Sequence, residues 1–259
     1  MGEKSLIFFD IDGTLYDDDK QVPASTKEAI LRLKQLGHIV AIATGRAPFM
    51  FKELLEELGI DTYVCFNGQY VVVEGHVIYT NPLRSDDLRA LTEFAEANDQ
   101  PVVYIDQSDM KANVPHHNFI VESIDSLKLT VQATHDPDYF IGRDIFQALI
   151  FCQEHEEKVY EERFKDFHFV RWHALSVDVG PTGGTKALGI SKVMEHLGIS
   201  KEHIYAFGDG LNDIDMLAFV PNSVAMGNGK EIVKKTAKYI TKSVDEDGIL
   251  HGLELVGLL

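Results

Sequence analysis

The chain has 259 residues, 45% of them hydrophobic and 25% charged, which is enough for one large domain or two small domains with real cores. Its 41 acidic and 24 basic residues give a net charge of −17 at pH 7. This charge argues against nucleic acid or an anionic membrane surface as a partner, because both require a basic face on the protein.

The first 81 residues alternate between predicted strands and helices. Apolar runs predict buried strands at Leu6–Phe9, Ile39–Ala43 and Tyr63–Phe66. Helices are predicted at Pro23–Leu36, where Ser25 and Glu28 have the spacing of a capping box, and at Pro48–Leu58. A β-hairpin is predicted for Tyr70–Val73 and Val77–Tyr79. The alternation predicts a parallel sheet with crossover helices.

The pattern changes near Pro82. Several strands of the next hundred residues carry polar residues at alternate positions, as in a sheet with one solvated face. The predicted elements are helices at Ser85–Ala97 and Glu156–Phe164, and strands at Val102–Ile105, Gln147–Cys152 and Phe167–Trp172. We interpret residues 82–184 as an inserted α+β domain.

The strand–helix alternation returns after Gly184. The predicted elements are helices at Lys186–Leu197, Leu211–Phe219 and Glu231–Ala237, and strands at Ile204–Phe207, Val224–Met226 and Tyr239–Thr241. Residues 1–81 and 185–259 therefore form one α/β domain, a Rossmann-like doubly wound parallel sheet, interrupted by the insert.

Cys65 and Cys152 both lie in apolar runs, which predicts buried free thiols and a reducing compartment. No stretch approaches the length of a membrane span, and the N-terminal apolar run is too short for a signal peptide. The sequence therefore predicts a cytoplasmic protein.

Two acids stand where the first strand ends, in the run Asp10-Ile11-Asp12-Gly13-Thr14. Like charges this close raise the pKa of at least one carboxyl unless a cation neutralises them. The pattern favours a metal-assisted nucleophile with a proton-transfer partner, in which Asp12 protonates a departing alkoxide and later deprotonates water. The alternative is an Asp-rich turn, since Asp and Gly are ordinary turn residues.

Three further polar clusters follow strands or open helices of the same domain. They are Thr44-Gly45-Arg46, Lys186, and Gly208-Asp209-Gly210-Leu211-Asn212-Asp213. Because the strands of a parallel sheet direct their carboxyl ends to one edge, we expect all four clusters to converge there.

The residue types in these clusters suit phosphoryl transfer. Asp10 and Asp209 supply hard oxygen ligands for Mg²⁺, and a phosphate dianion needs a cation to approach a carboxylate. Thr44 offers a hydroxyl and Gly45 a backbone N–H to a phosphate oxygen. Lys186 adds a positive charge at a helix N-terminus, where the helix dipole also favours anions.

With these motifs the chain resembles the haloacid-dehalogenase-like phosphatase superfamily, and within it the Cof-like phosphatases. The resemblance covers the whole chain and rests on DIDGTL at the N-terminus, ATGR after the second strand, the late Lys186, and GDGLNDIDML near the C-terminus. The insert also resembles the α/β cap of Cof-like members, which lies between the second motif and the lysine.

The resemblance implies a role for each core residue. Asp10 is implied as the nucleophile that forms an aspartyl-phosphate, and Asp12 as the general acid/base. The implied Mg²⁺ ligands are the side chains of Asp10 and Asp209 and the backbone carbonyl of Asp12, with Asp213 in support. The implied phosphate contacts are the Ile11 backbone, Thr44, Gly45, Lys186 and Asn212.

Several nearby residues also have structural interpretations. Thr14 is expected to support the turn, and Arg46 to pair with a nearby acid. Asp213 has the position of a first-turn acid favoured by the helix dipole, and Asp215 that of an ordinary surface acid on a helix.

Other functions fit the motifs less well. Residues 180–187 approach a Walker A loop, but Thr185 stands at the second glycine position and Ala187 at the Ser/Thr position. A receiver-like phospho-accepting module uses a similar set of residues but not the large insert. Phosphomutase relatives usually carry the cap between Asp12 and Thr44, where this chain has no room, and a phosphotransferase of the same fold is a further alternative.

The expected substrate is a small phosphorylated metabolite: a sugar phosphate, a phosphorylated cofactor or a nucleotide. Its selection must reside in the insert, because the core clusters contact only phosphate. The candidate contacts, each with a structural alternative, are His116, His117, Arg143, Arg171, Trp172, His173 and Asp178.

Overall fold

The computed structural model describes residues 4–128 and 131–259. The strands, in chain order, are β1 Leu6–Phe9, β2 Ile39–Ala43, β3 Tyr63–Cys65, β4 Tyr70–Val73, β5 His76–Thr80, β6 Val102–Ile105, β7 Met110–Ala112, β8 Thr134–His135, β9 Gln147–Ile150, β10 Phe167–His173, β11 Ser176–Pro181, β12 Ile204–Gly208, β13 Asn222–Ala225 and β14 Tyr239–Ile240. The α-helices are α1 Ala24–Gln35, α2 Lys52–Leu58, α3 Ser85–Glu96, α4 Asn118–Ser126, α5 Lys158–Arg163, α6 Lys186–Leu197, α7 Ile214–Phe219, α8 Glu231–Thr236 and α9 Gly248–Leu255.

The described residues divide into two compact units. The first, here called the core unit, lies within residues 1–45, 52–80 and 185–259. The second, here called the insert unit, lies within residues 46–51 and 81–184. Each unit has its own sheet and its own hydrophobic cluster.

The core unit contains an eight-stranded sheet in the order β14-β13-β12-β1-β2-β3-β4-β5. The pairs from β14 through β3 are parallel, and β4 and β5 extend the sheet as an antiparallel hairpin. The strand order runs outward in both directions from the neighbours β1 and β12. Such a reversal of strand order creates a crevice beyond the carboxyl ends of the strands, where ligands of α/β proteins bind.

Helices cover both faces of this sheet, as its buried strands require. Leu6 and Phe8 of β1 pack in a cluster with Ile190 of α6 and Met216 of α7. On the opposite face, Gly252 lets α9 approach the Phe207 ring, because a Cβ at Gly252 would lie 2.6 Å from that ring. This arrangement confirms the predicted doubly wound α/β fold.

The predicted hairpin closes through a two-residue turn. Glu74 and Gly75 both have positive φ angles, of 50° and 76°. Positive φ at both central residues matches a type I′ turn, whose twist suits the flanking strands.

The insert unit contains a six-stranded sheet in the order β10-β11-β9-β6-β7-β8, antiparallel except for β7 with β8. One hydrophobic cluster joins this sheet to α3 and α5 and includes Leu91 and Tyr160. The predicted alternation appears on the edge strand β10, whereas the central strand β6 is buried at every position. The edge strand β10 keeps one face open to water, whereas the central strand β6 is covered on both faces.

The predicted capping box is wrong. Helix α1 begins at Ala24, and its N-cap is Pro23, which makes no side-chain hydrogen bond to the helix. Because proline fixes φ near the helical value, the helix starts before Ser25 and places that residue in its first turn. Among the described residues, the buried Ser25 hydroxyl has no hydrogen-bond partner.

Five elements were not predicted from the sequence: β7, β8, β11, α4 and α9. Three predicted helices are clearly shorter than expected. Pro48–Phe51 and Leu211–Asp213 form 3₁₀ turns before α2 and α7, and the helix predicted at Glu156–Phe164 spans only Lys158–Arg163. The predicted free thiols are confirmed, since Cys65 and Cys152 are both buried and unlinked. In the part of the chain that the structure describes, no helix is both long enough and apolar enough to span a bilayer.

Gly68 should be essential to the core unit, because it lies against the N-cap of helix α6. It has a φ of +97°, and a Cβ there would lie 2.0 Å from the Thr185 carbonyl oxygen. Gly68→Ala should lower the free energy of unfolding by about 3 kcal/mol or more, measured by urea denaturation.

Gly75→Ala is the matched control, because Gly75 also has a positive φ, of +76°, but nothing lies within 4 Å of its Cβ position. Gly75→Ala should lower the free energy of unfolding by only about 1 kcal/mol, which is the cost of a positive φ angle at an alanine without a steric clash. Equal losses in the two variants would contradict the steric argument.

Candidate active site

The Lys186 side chain is completely buried and lies between two carboxylates. Its Nζ is 2.6 Å from Asp10 Oδ1 and 2.6 Å from Asp213 Oδ1. Asp10 follows β1, and its backbone N–H donates to the Phe207 carbonyl of β12. Lys186 is the first residue of α6, whose N-cap Thr185 accepts a hydrogen bond from the Leu188 N–H. Three separate stretches of the chain therefore meet at one ammonium group.

Asp213 organises the loop that follows β12. Its Oδ2 accepts hydrogen bonds from the backbone N–H groups of Asp209, at 2.9 Å, and Gly210, at 2.8 Å. Gly208 allows this approach, because a Cβ there would lie 2.6 Å from the Asp213 carboxyl carbon. Both oxygens of Asp213 are therefore used in holding Lys186 and this loop.

Asp209 faces the loop that follows β1. Its Oδ1 accepts a hydrogen bond from the Thr14 hydroxyl at 2.8 Å. Gly13 has a φ of +76°, and a Cβ there would lie 2.3 Å from Asp209 Oδ2. A glycine at this position therefore lets the two acidic loops approach each other closely.

The charges of this cluster influence one another. Burial raises the pKa of Asp10, although the Lys186 ammonium opposes the rise. Burial also raises the pKa of Asp209 to about 6, against the hydrogen bond from Thr14. For Lys186, burial disfavours the charged form, but the carboxylates of Asp10 and Asp213 outweigh it and raise its pKa.

The same carboxylates could hold a metal ion. Oxygens of Asp10, Asp209 and Asp213 all lie within 4.8 Å of one another. Because Asp213 already uses both its oxygens, the second oxygens of Asp10 and Asp209 are the better candidate ligands. A set of carboxylate oxygens suits a hard divalent cation, and the close approach at Gly13 makes this grouping possible.

The Thr44-Gly45 segment joins the site through Asn67. The Asn67 backbone N–H donates to the Thr44 carbonyl, and its Oδ1 accepts from the Asn212 side chain at 3.2 Å. A Cβ on Gly45 would lie 3.1 Å from the Asn67 side chain. Thr44 and Asn212, distant in sequence, are thus linked through one asparagine.

Asp12 differs from the other acids of the site. Its Oδ1 lies 2.6 Å from Lys20 Nζ, and its side chain is 43% exposed. Asp10 two residues earlier is buried, so the two acids of the DIDGT segment face different surroundings.

Three residues of this region were missed by the sequence analysis. They are Asn67, Lys20 and Asn228. The Asn228 Nδ2 donates to the Gly13 carbonyl, and its Oδ1 accepts from the Val244 N–H. Asn67-Gly68 follows β3 at the edge where the other clusters lie, and that position was a usable signal.

In the insert unit, Arg171 is fully engaged with its neighbours. It pairs with Glu157 and donates to the carbonyls of Cys152, Gln153 and Ala174. The pair holds the pKa of Glu157 below its usual value. These bonds connect β10 to the segment before α5, which agrees with the structural interpretation of Arg171.

The other candidates of the insert unit have mixed environments. His117 caps α4 by accepting from the Phe119 N–H, and His173 bonds to the Ser123 hydroxyl at 3.0 Å. Arg143 stacks on the Tyr139 ring at 4.5 Å. His116 is exposed. The Trp172 Nε1 is buried without a hydrogen-bond partner among the described residues.

Asp178 stands out in the insert unit because it is an acid on an inner strand, β11, between apolar residues of the two neighbouring strands. Leu149 and Val170 are its neighbours across β9 and β10. Burial raises the pKa of Asp178 to about 7, while a hydrogen bond from Gln147 opposes the rise.

A family model described as haloacid dehalogenase-like hydrolase matches residues 7–253. The chain belongs to this family. YkrA of Bacillus subtilis, which bears a provisional name as a phosphatase, is 49% identical over 257 residues, covering 99% of each chain. YitU of the same organism, named as a 5-amino-6-(5-phospho-D-ribitylamino)uracil phosphatase, is 30% identical over 96% of each chain.

Solved structures agree with this assignment. The structure of BT4131, described as a sugar phosphatase of HAD subclass IIB, matches with a TM-score of 0.85 at 33% identity. The match covers 99% of this chain and 100% of that one. The resemblance stated from the sequence is confirmed, and the protein is a haloacid dehalogenase-like phosphatase, a phosphoric monoester hydrolase.

Asp213 should be critical for folding, because both its oxygens accept hydrogen bonds in a fully buried position. In Asp213→Asn, the amide group would face either the Lys186 ammonium or the backbone N–H groups, which leaves donors unpaired. We expect a loss of about 3 kcal/mol in the free energy of unfolding, measured by urea denaturation.

Asp215→Asn provides the matched control, because Asp215 lies two residues further on and is exposed. It should change the free energy of unfolding by less than about 0.5 kcal/mol. If Asp213→Asn and Asp215→Asn had equal free energies of unfolding, the hydrogen bonds of Asp213 would not be critical for folding. Asp213 would then be only a first-turn acid favoured by the helix dipole, the alternative stated from the sequence.

Proposed function

We propose that the protein hydrolyses small phosphate monoesters with the help of Mg²⁺, through an aspartyl-phosphate formed on Asp10. The observation that carries this proposal is the meeting of Asp10 and Asp209 beside the buried Lys186. An anionic nucleophile and a cation in one buried site are what transfer of a phosphoryl group to a carboxylate requires.

Asp10 attacks the phosphorus atom, and the bond to the leaving oxygen breaks. A phosphate dianion and a carboxylate repel each other, so positive charge must be present before they can approach. Lys186 supplies one such charge, and its contact with Oδ1 of Asp10 fixes the direction of the other oxygen. We assign further phosphate contacts to the Ile11 backbone, Thr44 and Gly45, and to Asn212.

The metal ligands in this proposal are the side chains of Asp10 and Asp209 and the backbone carbonyl of Asp12, with Asp213 in support. Mg²⁺ is the proposed ion because it prefers carboxylate and carbonyl oxygens. When bound, it would neutralise charge on the phosphate and offset its repulsion from Asp10.

Asp12 acts as the general acid and base. In the first step its carboxyl group gives a proton to the leaving alkoxide. In the second step its carboxylate takes a proton from the water that attacks the aspartyl-phosphate, and the bond between Asp10 and phosphorus breaks. The exposed position of the Asp12 side chain suits a group that must reach a leaving oxygen and a water molecule.

We propose residues 82–184 as the cap domain that selects the substrate, with residues 1–81 and 185–259 as the catalytic core. Within the cap, Asp178 is a better candidate contact than Arg171, because Arg171 is used in the packing of its own unit. Relatives named as acting on a sugar phosphate and on a phosphoribityl compound support substrates with a hydroxylated carbon chain. Phosphorylated cofactors and nucleotides remain within the proposal, and we propose a cytoplasmic location.

Asp10→Asn should abolish turnover, because the amide cannot form the acyl-phosphate. We expect kcat to fall by about a thousandfold or more, with an unchanged far-ultraviolet circular dichroism spectrum. The wild type, quenched in acid during turnover of phosphate-labelled substrate, should retain label on Asp10. Residual activity near the wild-type rate would exclude Asp10 as the nucleophile.

The reaction product distinguishes a phosphatase from a mutase. When the wild type is given a sugar phosphate, free phosphate is the expected product, and an isomeric sugar phosphate in its place would point to a mutase.

Removal of divalent cations should stop hydrolysis, because the repulsion between Asp10 and the phosphate is then no longer offset. The measurement is the rate of phosphate release after dialysis against a chelator, followed by titration with Mg²⁺. Activity should return in proportion to occupancy of one class of site. Undiminished rates in the chelator would refute metal dependence.

A further inference from the structure

The Asp12 carboxylate makes an ion pair that the roles assigned above do not explain. Lys20 Nζ lies 2.6 Å from Asp12 Oδ1, and the two side chains are 33% and 43% exposed. Asp12 and Lys20 both belong to the loop between β1 and α1, so the pair is formed within one short segment of the core unit.

The loop presents Lys20 in a defined position. The Asp17 carboxylate accepts hydrogen bonds from the backbone N–H groups of Asp19, at 2.9 Å, and Gln21, at 2.8 Å. The Asp17 N–H in turn donates to the Gln21 carbonyl, and the Lys20 N–H donates to the Asp17 carbonyl. The Lys20 side chain therefore starts from a turn whose backbone is tied on both sides.

The backbone of Lys20 is in the left-handed region, with a φ of +59°. A residue other than glycine, asparagine or aspartate costs about 1–2 kcal/mol in this region. A partly exposed lysine–carboxylate pair contributes only about 0–1 kcal/mol to stability. The Lys20–Asp12 ion pair therefore contributes less free energy than the left-handed backbone of Lys20 costs. Stability alone does not explain why a lysine stands at this position.

We propose that Lys20 is a positioning residue for Asp12, holding Oδ1 of its carboxyl group so that Oδ2 carries the proton exchanged with the leaving oxygen and with water. This inference rests on the proposed function, because it assumes that Asp12 is the general acid and base. In the first step Oδ2 gives its proton to the leaving alkoxide as the bond between Asp10 and phosphorus forms. In the second step Oδ2 receives a proton from the attacking water.

The leaving group provides the test. An alkyl phosphate needs a proton on its leaving oxygen, whereas p-nitrophenolate leaves without one. A residue that acts through Asp12 should therefore matter for glycerol phosphate and much less for p-nitrophenyl phosphate. The parameter to compare is kcat/KM, because it reports only the steps up to phosphoryl transfer to Asp10.

Lys20→Met removes the charge and keeps the length of the side chain. We expect kcat/KM to fall about 10–100-fold for glycerol phosphate and less than about threefold for p-nitrophenyl phosphate. With p-nitrophenyl phosphate, the variant should also show a burst of nitrophenolate and more acid-stable phosphoenzyme, because water activation is slowed. Lys20→Arg should restore most of the activity on glycerol phosphate.

Lys27→Met is the matched control, because Lys27 forms a similar half-exposed pair with Glu57 in the same unit, with Nζ 2.5 Å from Oε1. It should leave both kcat/KM values unchanged. If Lys20→Met lowered kcat/KM equally for the two substrates, or matched Lys27→Met, Lys20 would not position Asp12 and the inference would be overturned.

Asp12→Asn separates this inference from the proposed function. If Asp12→Asn showed the selective loss on glycerol phosphate and Lys20→Met did not, only the role of Lys20 would be refuted. If Asp12→Asn showed no selectivity between the two substrates, the proposed acid role of Asp12 would fail and the role of Lys20 with it.

Discussion

The ion pairs of the buried Lys186 ammonium group are the interactions on which the rest of the core unit depends. A charge that is completely removed from water is tolerated only when opposite charges and hydrogen bonds replace the water. Asp10 and Asp213 provide that replacement at 2.6 Å each. Asp10 follows β1, Asp213 follows β12, and Lys186 is the first residue of α6. Their contact therefore holds three elements of the fold together where the chemistry is proposed. The packing of the core unit and the proposed chemistry therefore involve the same three side chains.

Close backbone approach is the second constraint. Gly13, Gly68 and Gly208 each lie where a Cβ would come within 2.6 Å of a neighbouring atom, and all three stand beside residues of the site. Because these glycines have no side chain, the two acidic loops can lie close to each other and the Gly68 backbone can lie against the N-cap of α6. In the insert unit a charged side chain also joins separate segments, because Arg171 connects β10 to the segment before α5.

The strong patterns of the sequence were sufficient for most of the core unit. Helix Lys186–Leu197 and strand Leu6–Phe9 have the predicted bounds, because their apolar periodicity and end signals agree. Helix α4 was not predicted, since its sequence NFIVESIDS is rich in β-branched and small polar residues with low helix propensity. Helix α9 contains two glycines, and Gly252 serves the packing of that helix against Phe207, which is a reason outside its own segment.

The sequence by itself determined the α/β class, and it predicted an insert and a set of polar clusters at one sheet edge, because strand periodicity and the ends of strands are local properties. Only the tertiary structure decided which of those groups contact one another. The sharing of Lys186 between Asp10 and Asp213 and the bridge that Asn67 makes between Thr44 and Asn212 both depend on distances between loops that are far apart in the sequence. Those distances are set by the packing of whole elements, and no local pattern of residues encodes them.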